Sequence, residues 1–171
     1  MTSQKRTGSS IAILFARRPC PGKVKKRLGN QIGDEAACDI YNLLLRRTIG
    51  ELDKLQRVEC WLTCDVEADV PWFRTICTSS NWKFSHQVGN NIGERMKHAF
   101  TAHLTNDNVV ILIGSDIADI SFADVERGLN LLKEGSSAVI GPSSDGGYWA
   151  IGLSSMELSI FDNVPWSTSV V

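Results

Sequence analysis

The stretch IAILFARRPCPGKVKKRL, residues 11–28, joins a short apolar segment to a proline- and glycine-containing turn that is rich in lysine and arginine. Its first residues, Ile11–Phe15, have the composition of a buried β-strand. Pro19, Pro21 and Gly22 then prevent a helix within the turn. Ligands of open α/β sheets bind at the carboxyl ends of strands, where basic side chains favour anions. We therefore predict a phosphate-binding turn, with a solvated basic turn as the alternative.

Length and charge limit the classes of protein to which the chain can belong. The 171 residues carry a formal net charge of −1, which argues against general nucleic-acid affinity because that requires a basic face. No apolar run approaches the ~18 residues of a membrane span, and we expect a cytoplasmic protein that binds neither nucleic acid nor membrane. Residues 1–10 are expected to form a flexible leader, and residues 11–171 a single domain.

The cysteines favour reduced thiols over a disulfide framework or a zinc site. Five cysteines occur at irregular spacing, unlike the even-numbered framework of a secreted protein. Cys60 lies in the predicted strand Val58–Thr63 and Cys64 directly follows it, and residues four apart in such an extended segment are separated by about 13 Å. One zinc ion could not bind both thiols.

Strand and helix signals alternate along the remaining sequence. Val109–Ile113 is a continuous apolar run, which is typical of a central strand covered by helices on both faces. The other predicted strands are Val58–Thr63, Trp82–His86, Ala138–Ile140 and Tyr148–Ile151, and the predicted helices are Asp34–Leu55, Pro71–Thr78, Ile92–Leu104 and Ser121–Gly135. The helix capped by Asp34 is expected to bury Ala37, Ile40, Leu44 and Leu52. The alternation predicts a three-layer α/β domain built on a mainly parallel sheet.

Three loops are predicted to meet at one edge of this sheet: Arg17–Arg27, Gly114–Asp116 and Ser144–Gly147. They combine cations with carboxylates, a mixture that suits a phosphorylated nucleotide, since phosphates take Lys and Arg while one or two carboxylates bring in Mg²⁺. Asp116 is the best candidate for a metal ligand, with a turn or helix cap as the alternative. Asp145 is a second candidate, although an Asp-Gly pair also forms hairpin turns by itself.

The common nucleotide and nucleophile fingerprints are missing from the sequence. No G-x-G-x-x-G follows the first strand, and the Gly22-Lys23 pair lacks the earlier glycine and the Ser or Thr of a P-loop. A G-x-S-x-G nucleophile elbow is also absent. These absences argue against ordinary dehydrogenases, P-loop kinases and esterases.

The sequence resembles a known family in five motifs. They are residues 15–28 (FARRPCPGKVKKRL), 92–96 (IGERM), 114–116 (GSD), 141–149 (GPSSDGGYW) and 166–168 (WST). With these motifs the chain, from Ile11 to its end, resembles bacterial glycosyltransferase-A-like proteins, which are relatives of nucleotide-diphospho-sugar transferases. The Lys25–Leu28 segment is also similar to the basic turn of phospholactate guanylyltransferases. The resemblance implies a Rossmann-like sheet of the nucleotide-diphospho-sugar transferase type, binding a nucleoside di- or triphosphate.

The resemblance also implies roles for individual residues. The catalytic cations on the phosphates are expected to be Arg17, Lys23, Lys25 and Arg27, while Lys26 faces solvent. A divalent cation, Mg²⁺ or Mn²⁺, would be held by Asp116 and Asp145. The nucleotide-binding residues are expected to be Ala16, Gly22, Gln87, Gly93, Arg95, Ser115, Gly146 and Gly147. Gln87 is a candidate for reading the base, with a surface-loop amide as the alternative.

Two features depart from the family pattern. Ile117-Ala118-Asp119 stands where the family usually continues with a proline after Asp116. The sequence also ends at Val171, where relatives continue into a further helix and an acidic segment. We therefore expect a domain that is short at its C terminus and a homodimer formed through the apolar surface left there.

Three functions remain open from the sequence. The leading prediction is a metal-dependent nucleotidyltransferase that moves a nucleoside monophosphate from a nucleoside triphosphate to a small phosphorylated acceptor, because a long basic turn suits three phosphates. The second is a glycosyltransferase that uses a nucleotide-sugar donor. The third is a nucleotide-binding or oligomer-forming module without turnover, since a fold of this kind does not itself determine activity.

Overall fold

Six strands form one sheet in the computed structural model, which describes residues 7–144, 146–162, 164 and 166. The strands are β1 (Ser10–Ala16), β2 (Val58–Cys64), β3 (Trp82–His86), β4 (Val109–Gly114), β5 (Ala138–Pro142) and β6 (Tyr148–Leu153). Their order across the sheet is β3-β2-β1-β4-β6-β5. The pairs β1–β2, β1–β4 and β2–β3 are parallel, and β6 runs antiparallel between β4 and β5. The predicted mixed, mainly parallel sheet is confirmed.

Helices connect the strands and cover both faces of the sheet. They are α1 (Lys26–Ile32), α2 (Asp34–Leu52), α3 (Val70–Ile76), α4 (Ile92–His103) and α5 (Phe122–Lys133), with 3-10 turns at Glu67–Asp69 and Leu158–Phe161. The predicted helices are found with ends that differ by less than one turn. Within the described part of the chain, none of the helices combines the length and the apolarity that a membrane crossing requires.

The helix starts follow local hydrogen bonding. The Asn91 side chain accepts a hydrogen bond from the Glu94 amide at 2.9 Å and caps α4. Ser121, where the sequence predicted the start of this helix, caps α5 in the same way through the Asp124 amide. The predicted cap at Asp34 is wrong, because Asp34 is the first helical residue and the preceding position is Gly33, whose positive φ of 91° favours glycine.

The sheet separates two apolar cores, which gives the three-layer arrangement. Side chains of α2, α3 and α5 pack on one face of the sheet. Side chains of α4 and the Leu158–Phe161 turn pack on the other face. All seven residues of β1 are buried, as expected for a strand with neighbours on both sides and helices on both faces.

Helix α2 is rotated about its axis relative to the prediction. Its buried residues are Ala37, Cys38, Tyr41, Leu45, Thr48, Ile49 and Leu52. Ile40, which we predicted to be buried, is 41% exposed. The buried face of α2 is therefore shifted by about one residue from the predicted face. The reason is that the Tyr41 side chain points inward, where its hydroxyl makes hydrogen bonds with the Arg17 backbone at the end of β1.

Ordered structure begins within the segment predicted to be a leader. Ser10 is the first residue of β1 and is buried. The Gly8 amide donates a hydrogen bond to the Asp107 carbonyl at 3.0 Å. The remainder of that prediction, residues 1–6, lies outside the described residues.

All five cysteines are free thiols, and four of them are buried. Burial raises the pKa of Cys60 and of Cys77 to about 12, and it also raises the pKa of Cys38 and of Cys64. Only the thiolate is strongly nucleophilic. The buried thiols are therefore protonated and unreactive near neutral pH.

We predict that one thiol per chain reacts quickly with Ellman's reagent at about pH 8, and that this thiol is Cys20, the partly exposed cysteine. The other four should react only after unfolding in urea. Absorbance of the released thiolate measures both phases, and Cys20→Ser should remove the fast phase. A second fast thiol in the native protein would contradict the burial of the core cysteines.

Two helical glycines should respond oppositely to alanine. A Cβ at Gly93 would overlap the Trp166 indole, whereas a Cβ at Gly50 has no atom within 4 Å. We expect Gly93→Ala to destabilise the protein by about 1–3 kcal/mol through overpacking, and Gly50→Ala to stabilise it by about 0.5–1 kcal/mol through helix propensity. Urea denaturation measures both, and truncating Trp166 to alanine in the Gly93→Ala background should recover part of the loss.

Candidate functional site

A cavity of about 700 Å³ opens at the carboxyl edge of the sheet, where β1 and β4 end beside the start of α4. Its basic lining residues are Arg17, Lys23, Lys25, Lys26 and Arg95, and its other polar residues include Tyr41, Gln87, Asn90, Asn91, Ser115 and Asp116. The edge is the one that the sequence predicted for ligand binding. Volumes of this size are typical of small-molecule sites.

An ion pair between Lys25 and Asp116 connects the two loops at the mouth of this cavity. The Lys25 Nζ lies 2.8 Å from the Asp116 Oδ2, and about half of the aspartate side chain is exposed. Lys25 directly precedes α1 and has left-handed backbone angles, with φ 46° and ψ 41°. Left-handed angles are unfavourable for a lysine, so surrounding contacts must maintain this conformation. The predicted meeting of the basic turn with Asp116 is found.

Tyr41 makes hydrogen bonds at the base of the cavity, a role that the sequence did not predict. Its hydroxyl accepts from the Arg17 amide at 3.0 Å, donates to the Arg17 carbonyl at 3.1 Å and lies 2.9 Å from the Ser115 Oγ. Because the phenol has one proton, Ser115 is the donor in the last bond. Tyr41 thus joins the loop after β1 to the loop after β4. Burial raises the pKa of Tyr41, so the hydroxyl keeps its proton.

Of the four predicted catalytic cations, three line the cavity and Arg27 does not. Lys23 and Lys25 are two of the three. Lys26, which we expected to face solvent, is exposed and also lines the cavity. Arg17 lines the cavity as well, but its Nε lies 3.1 Å from the Asp65 Oδ2. Arg27 is exposed on α1 and is not among the lining residues.

Gln87 and Arg95 support each other beside the cavity. The Gln87 amide nitrogen donates to the Thr63 carbonyl at 3.1 Å, and its oxygen accepts from the Arg95 guanidinium at 3.3 Å. The Arg95 Nε donates to the Gly89 carbonyl at 3.0 Å. Both residues line the cavity, and their mutual contacts fix the loop that leads into α4. Ala16 and Ser115 are buried at its base.

The predicted glycines have backbone and packing roles and do not line the cavity. Gly22 has a φ of 73° in the basic turn, and Gly146 has a φ of 87° in the β5–β6 hairpin beside Gly147. Both angles favour glycine. Gly93 is covered by the Trp166 indole, with no room for a Cβ. The structure does not bring these four residues into the lining of the cavity.

A second cavity of about 680 Å³ shares a wall with the first. Lys25 and Asp116 line both, so the ion pair stands between them. The second cavity extends over the ends of β4 and β5 and the start of β6. Asp145, the second predicted metal ligand, lies outside the described residues.

The carboxylate at the wall between the two cavities suits a metal ion that binds together with a phosphorylated substrate. The described residues contain no group of three or more His, Cys, Asp or Glu side chains that could hold a metal by themselves. Mg²⁺ is usually bound through one or two carboxylates together with substrate phosphates and water. Asp116, half exposed between the two cavities, can supply one such carboxylate.

Comparison with known proteins identifies a family. A family model described as "Uncharacterized protein conserved in bacteria (DUF2064)" matches residues 48–168. The crystal structure of a "putative nucleotide-diphospho-sugar transferase" from Desulfovibrio desulfuricans G20 is 33% identical, with a TM-score of 0.84 over 94% of this chain and 71% of that one. No protein with a curated description matches the chain.

Two more distant structures share the fold. The 4-diphosphocytidyl-2C-methyl-D-erythritol synthase of Anaerococcus prevotii DSM 20548 is 9% identical, with a TM-score of 0.57 over 94% of this chain and 79% of that one. CMP:2-keto-3-deoxy-manno-octonic acid synthetase, solved in complex with CTP, is 11% identical, with a TM-score of 0.52 over 95% of this chain and 80% of that one. The fold is therefore that of the nucleotide-diphospho-sugar transferases and related nucleotidyltransferases.

We predict that Tyr41→Phe destabilises the protein by about 1–3 kcal/mol, because the partly buried Arg17 backbone groups and the buried Ser115 hydroxyl lose a hydrogen-bond partner. Tyr148→Phe is the matched control, since the Tyr148 hydroxyl donates to the Met96 sulfur at 3.6 Å, a weak acceptor, and this substitution should lower stability less. Urea denaturation at neutral pH measures both variants.

The difference in unfolding free energy between the wild-type protein and Tyr41→Phe should depend on pH. The native pKa of Tyr41 is raised above its ordinary value of 10, so the native state holds the phenolic proton more tightly than the unfolded state. The stabilisation is complete below about pH 10 and is lost as pH rises through the native pKa. The gap between the wild-type protein and Tyr41→Phe should therefore shrink in alkaline urea titrations, and a constant gap would contradict the assignment.

Proposed function

The chain belongs to the bacterial family DUF2064, and we propose that it is a metal-dependent nucleotidyltransferase. In this reaction a phosphate oxygen of a small acceptor attacks the α-phosphorus of a nucleoside triphosphate. The bond from the α-phosphorus to the bridging oxygen breaks, and pyrophosphate leaves. The proposal is supported by the fold and by the charges at the carboxyl edge of the sheet.

One observation carries the proposal: several cations and one carboxylate line a single cavity beside a parallel pair of strands. Lys23 and Lys25 of the basic turn and Lys26 at the start of α1 line it. A triphosphate carries more negative charge than a diphosphate, and several ammonium groups at one cavity suit it. Phosphoryl-type transfers depend mainly on orientation and on electrostatic stabilisation of the phosphates.

In this reaction the lining residues would bind the phosphates, hold the metal ion and orient the base. Lys23 and Lys26 neutralise the phosphates that depart as pyrophosphate, and Lys25 donates to a phosphate oxygen nearest Asp116. Asp116 would hold Mg²⁺ or Mn²⁺, which supplies charge neutralisation and polarisation of the phosphate when it is bound. Gln87, fixed by Arg95, is the candidate for contacting the base.

Glycosyl transfer from a nucleotide sugar is the second candidate. The description of the relative from Desulfovibrio desulfuricans, 33% identical, favours it. The same basic turn and the same carboxylate would then stabilise a nucleoside diphosphate as the leaving group. A cytoplasmic location and a homodimer remain predictions for either activity.

A single screen separates these functions. The four nucleoside triphosphates and common nucleotide sugars are tested for a thermal shift with and without Mg²⁺, and ligands that bind are then assayed with acceptor phosphates. Pyrophosphate release from a triphosphate supports nucleotidyl transfer. Release of nucleoside diphosphate from a sugar donor supports glycosyl transfer, and binding without either product supports a module without turnover.

We predict that Asp116→Asn lowers metal-dependent turnover by about 100-fold or more, because the metal loses its protein carboxylate, while the fold stays intact. Asp162→Asn is the matched control: Asp162 is as exposed as Asp116 and also pairs with a lysine, Lys97, at 2.7 Å, but lies away from the cavity. Steady-state kinetics and circular dichroism measure the two effects. Full activity in Asp116→Asn would overturn the metal assignment.

A further inference from the structure

We infer that the second cavity holds the acceptor, and that this acceptor is an amphiphilic monophosphate: one phosphate group carried by an uncharged, mainly apolar body. The inference rests on the proposed nucleotidyl transfer for the identity of the reacting group. Its own evidence is the location, the charges and the apolar lining of the second cavity.

The location places this cavity beside the reacting phosphates. It shares Lys25 and Asp116 with the cation-lined cavity, so a group at the shared wall can reach a nucleotide from the opposite side. At about 680 Å³ it is as large as the nucleotide cavity. An acceptor body there would direct its phosphate toward the α-phosphorus without crossing the basic turn.

The charges of the lining limit the acceptor to one anionic group. Among the described lining residues, Lys25 is the only cation, and Asp116 and Asp119 are both carboxylates. Lys25 stands at the shared wall, within 2.8 Å of Asp116. A phosphate can be neutralised at this wall, but a second anionic group deeper in the cavity would face carboxylates without a partner.

Most of the other lining residues are apolar and come from different elements, while Ser143 and Ser144 after β5 add polar groups. The apolar lining includes Phe15 of β1, Ile92 and Met96 of α4, Ile117 after β4, and Tyr148 and Trp149 of β6. Ile92 is 36% exposed, and exposed apolar side chains grouped at a cavity commonly mark a binding surface.

Tyr148 and Trp149 are consecutive residues of β6 that line the cavity, and their side chains pack on opposite faces of the sheet, Tyr148 on the α4 side and Trp149 on the α2 side. The Trp149 indole lies against Gly141, where a Cβ would overlap it. The Tyr148 hydroxyl donates to the Met96 sulfur at 3.6 Å, which is a weak acceptor. Burial raises the pKa of Tyr148 and keeps its hydroxyl neutral. The uncharged Tyr148 ring, which lines the cavity together with Ile92 and Met96, suits an apolar body better than a strongly hydrated one.

The test compares three acceptor probes of different body chemistry. Naphthyl phosphate has one phosphate on an apolar ring, glucose 1-phosphate has one on a hydroxylated body, and 3-phosphoglycerate has a second anionic group. Binding to the full chain is measured by calorimetry without nucleotide, and pyrophosphate release is measured with each nucleoside triphosphate and Mg²⁺. We expect naphthyl phosphate to bind at least about tenfold more tightly than the other two probes.

The variant Ala118→Glu adds a carboxylate at an exposed position of the cavity lining. It should weaken naphthyl phosphate binding about tenfold. Ala102→Glu, on the exposed side of α4 and outside this lining, makes the same substitution as a control and should change binding less than twofold. Both substitutions are at exposed positions, so both variants should fold, and circular dichroism checks this.

The outcomes separate this inference from the proposed function. If naphthyl phosphate binds with the expected variant pattern but no triphosphate releases pyrophosphate, the amphiphilic site stands and nucleotidyl transfer fails. If pyrophosphate is released only with glucose 1-phosphate or 3-phosphoglycerate, nucleotidyl transfer stands and the inference is overturned. Tighter binding of either polar probe, equal effects of the two variants, or no binding of naphthyl phosphate would each overturn it as well.

Discussion

The parallel register of β1 and β4 is the constraint on which the site depends. Phe15 of β1 is paired with Gly114 of β4, so both strands end at the same level of the sheet. The basic turn and the Ser115–Asp116 loop therefore leave the sheet side by side. Tyr41 joins these two loops through a single buried hydroxyl, and the Lys25–Asp116 ion pair joins them again at the surface.

Charge is distributed unevenly around that ion pair. The first cavity is lined by five cations, which come from the turn after β1, from α1 and from α4, whereas Lys25 is the only cation in the described lining of the second cavity, which also contains Asp119. This asymmetry follows from topology, because the parallel strands place their loops over one half of the edge while the antiparallel β6 begins over the other. A polar donor and an amphiphilic acceptor could thus occupy neighbouring cavities with little competition.

Two glycines in the motifs quoted from the sequence act by allowing close approach. Gly93 admits the Trp166 indole, and Gly141 admits the Trp149 indole. In both cases a large aromatic ring takes the space of a missing Cβ and tightens the packing around an element that lines a cavity. A motif that looks like a set of ligand contacts in the sequence is thus partly a set of packing positions.

By itself the sequence determined the strands, most helix ends and the basic turn, because apolar runs, prolines and capping residues act over short distances. It also indicated that the turn and Asp116 meet, since parallel strands share one edge. Only the tertiary structure decided that Tyr41 turns inward, that Arg17 pairs with Asp65, and that Arg27 stays outside the cavity. Those outcomes depend on the rotation of a helix and on contacts between distant segments, which local composition does not encode.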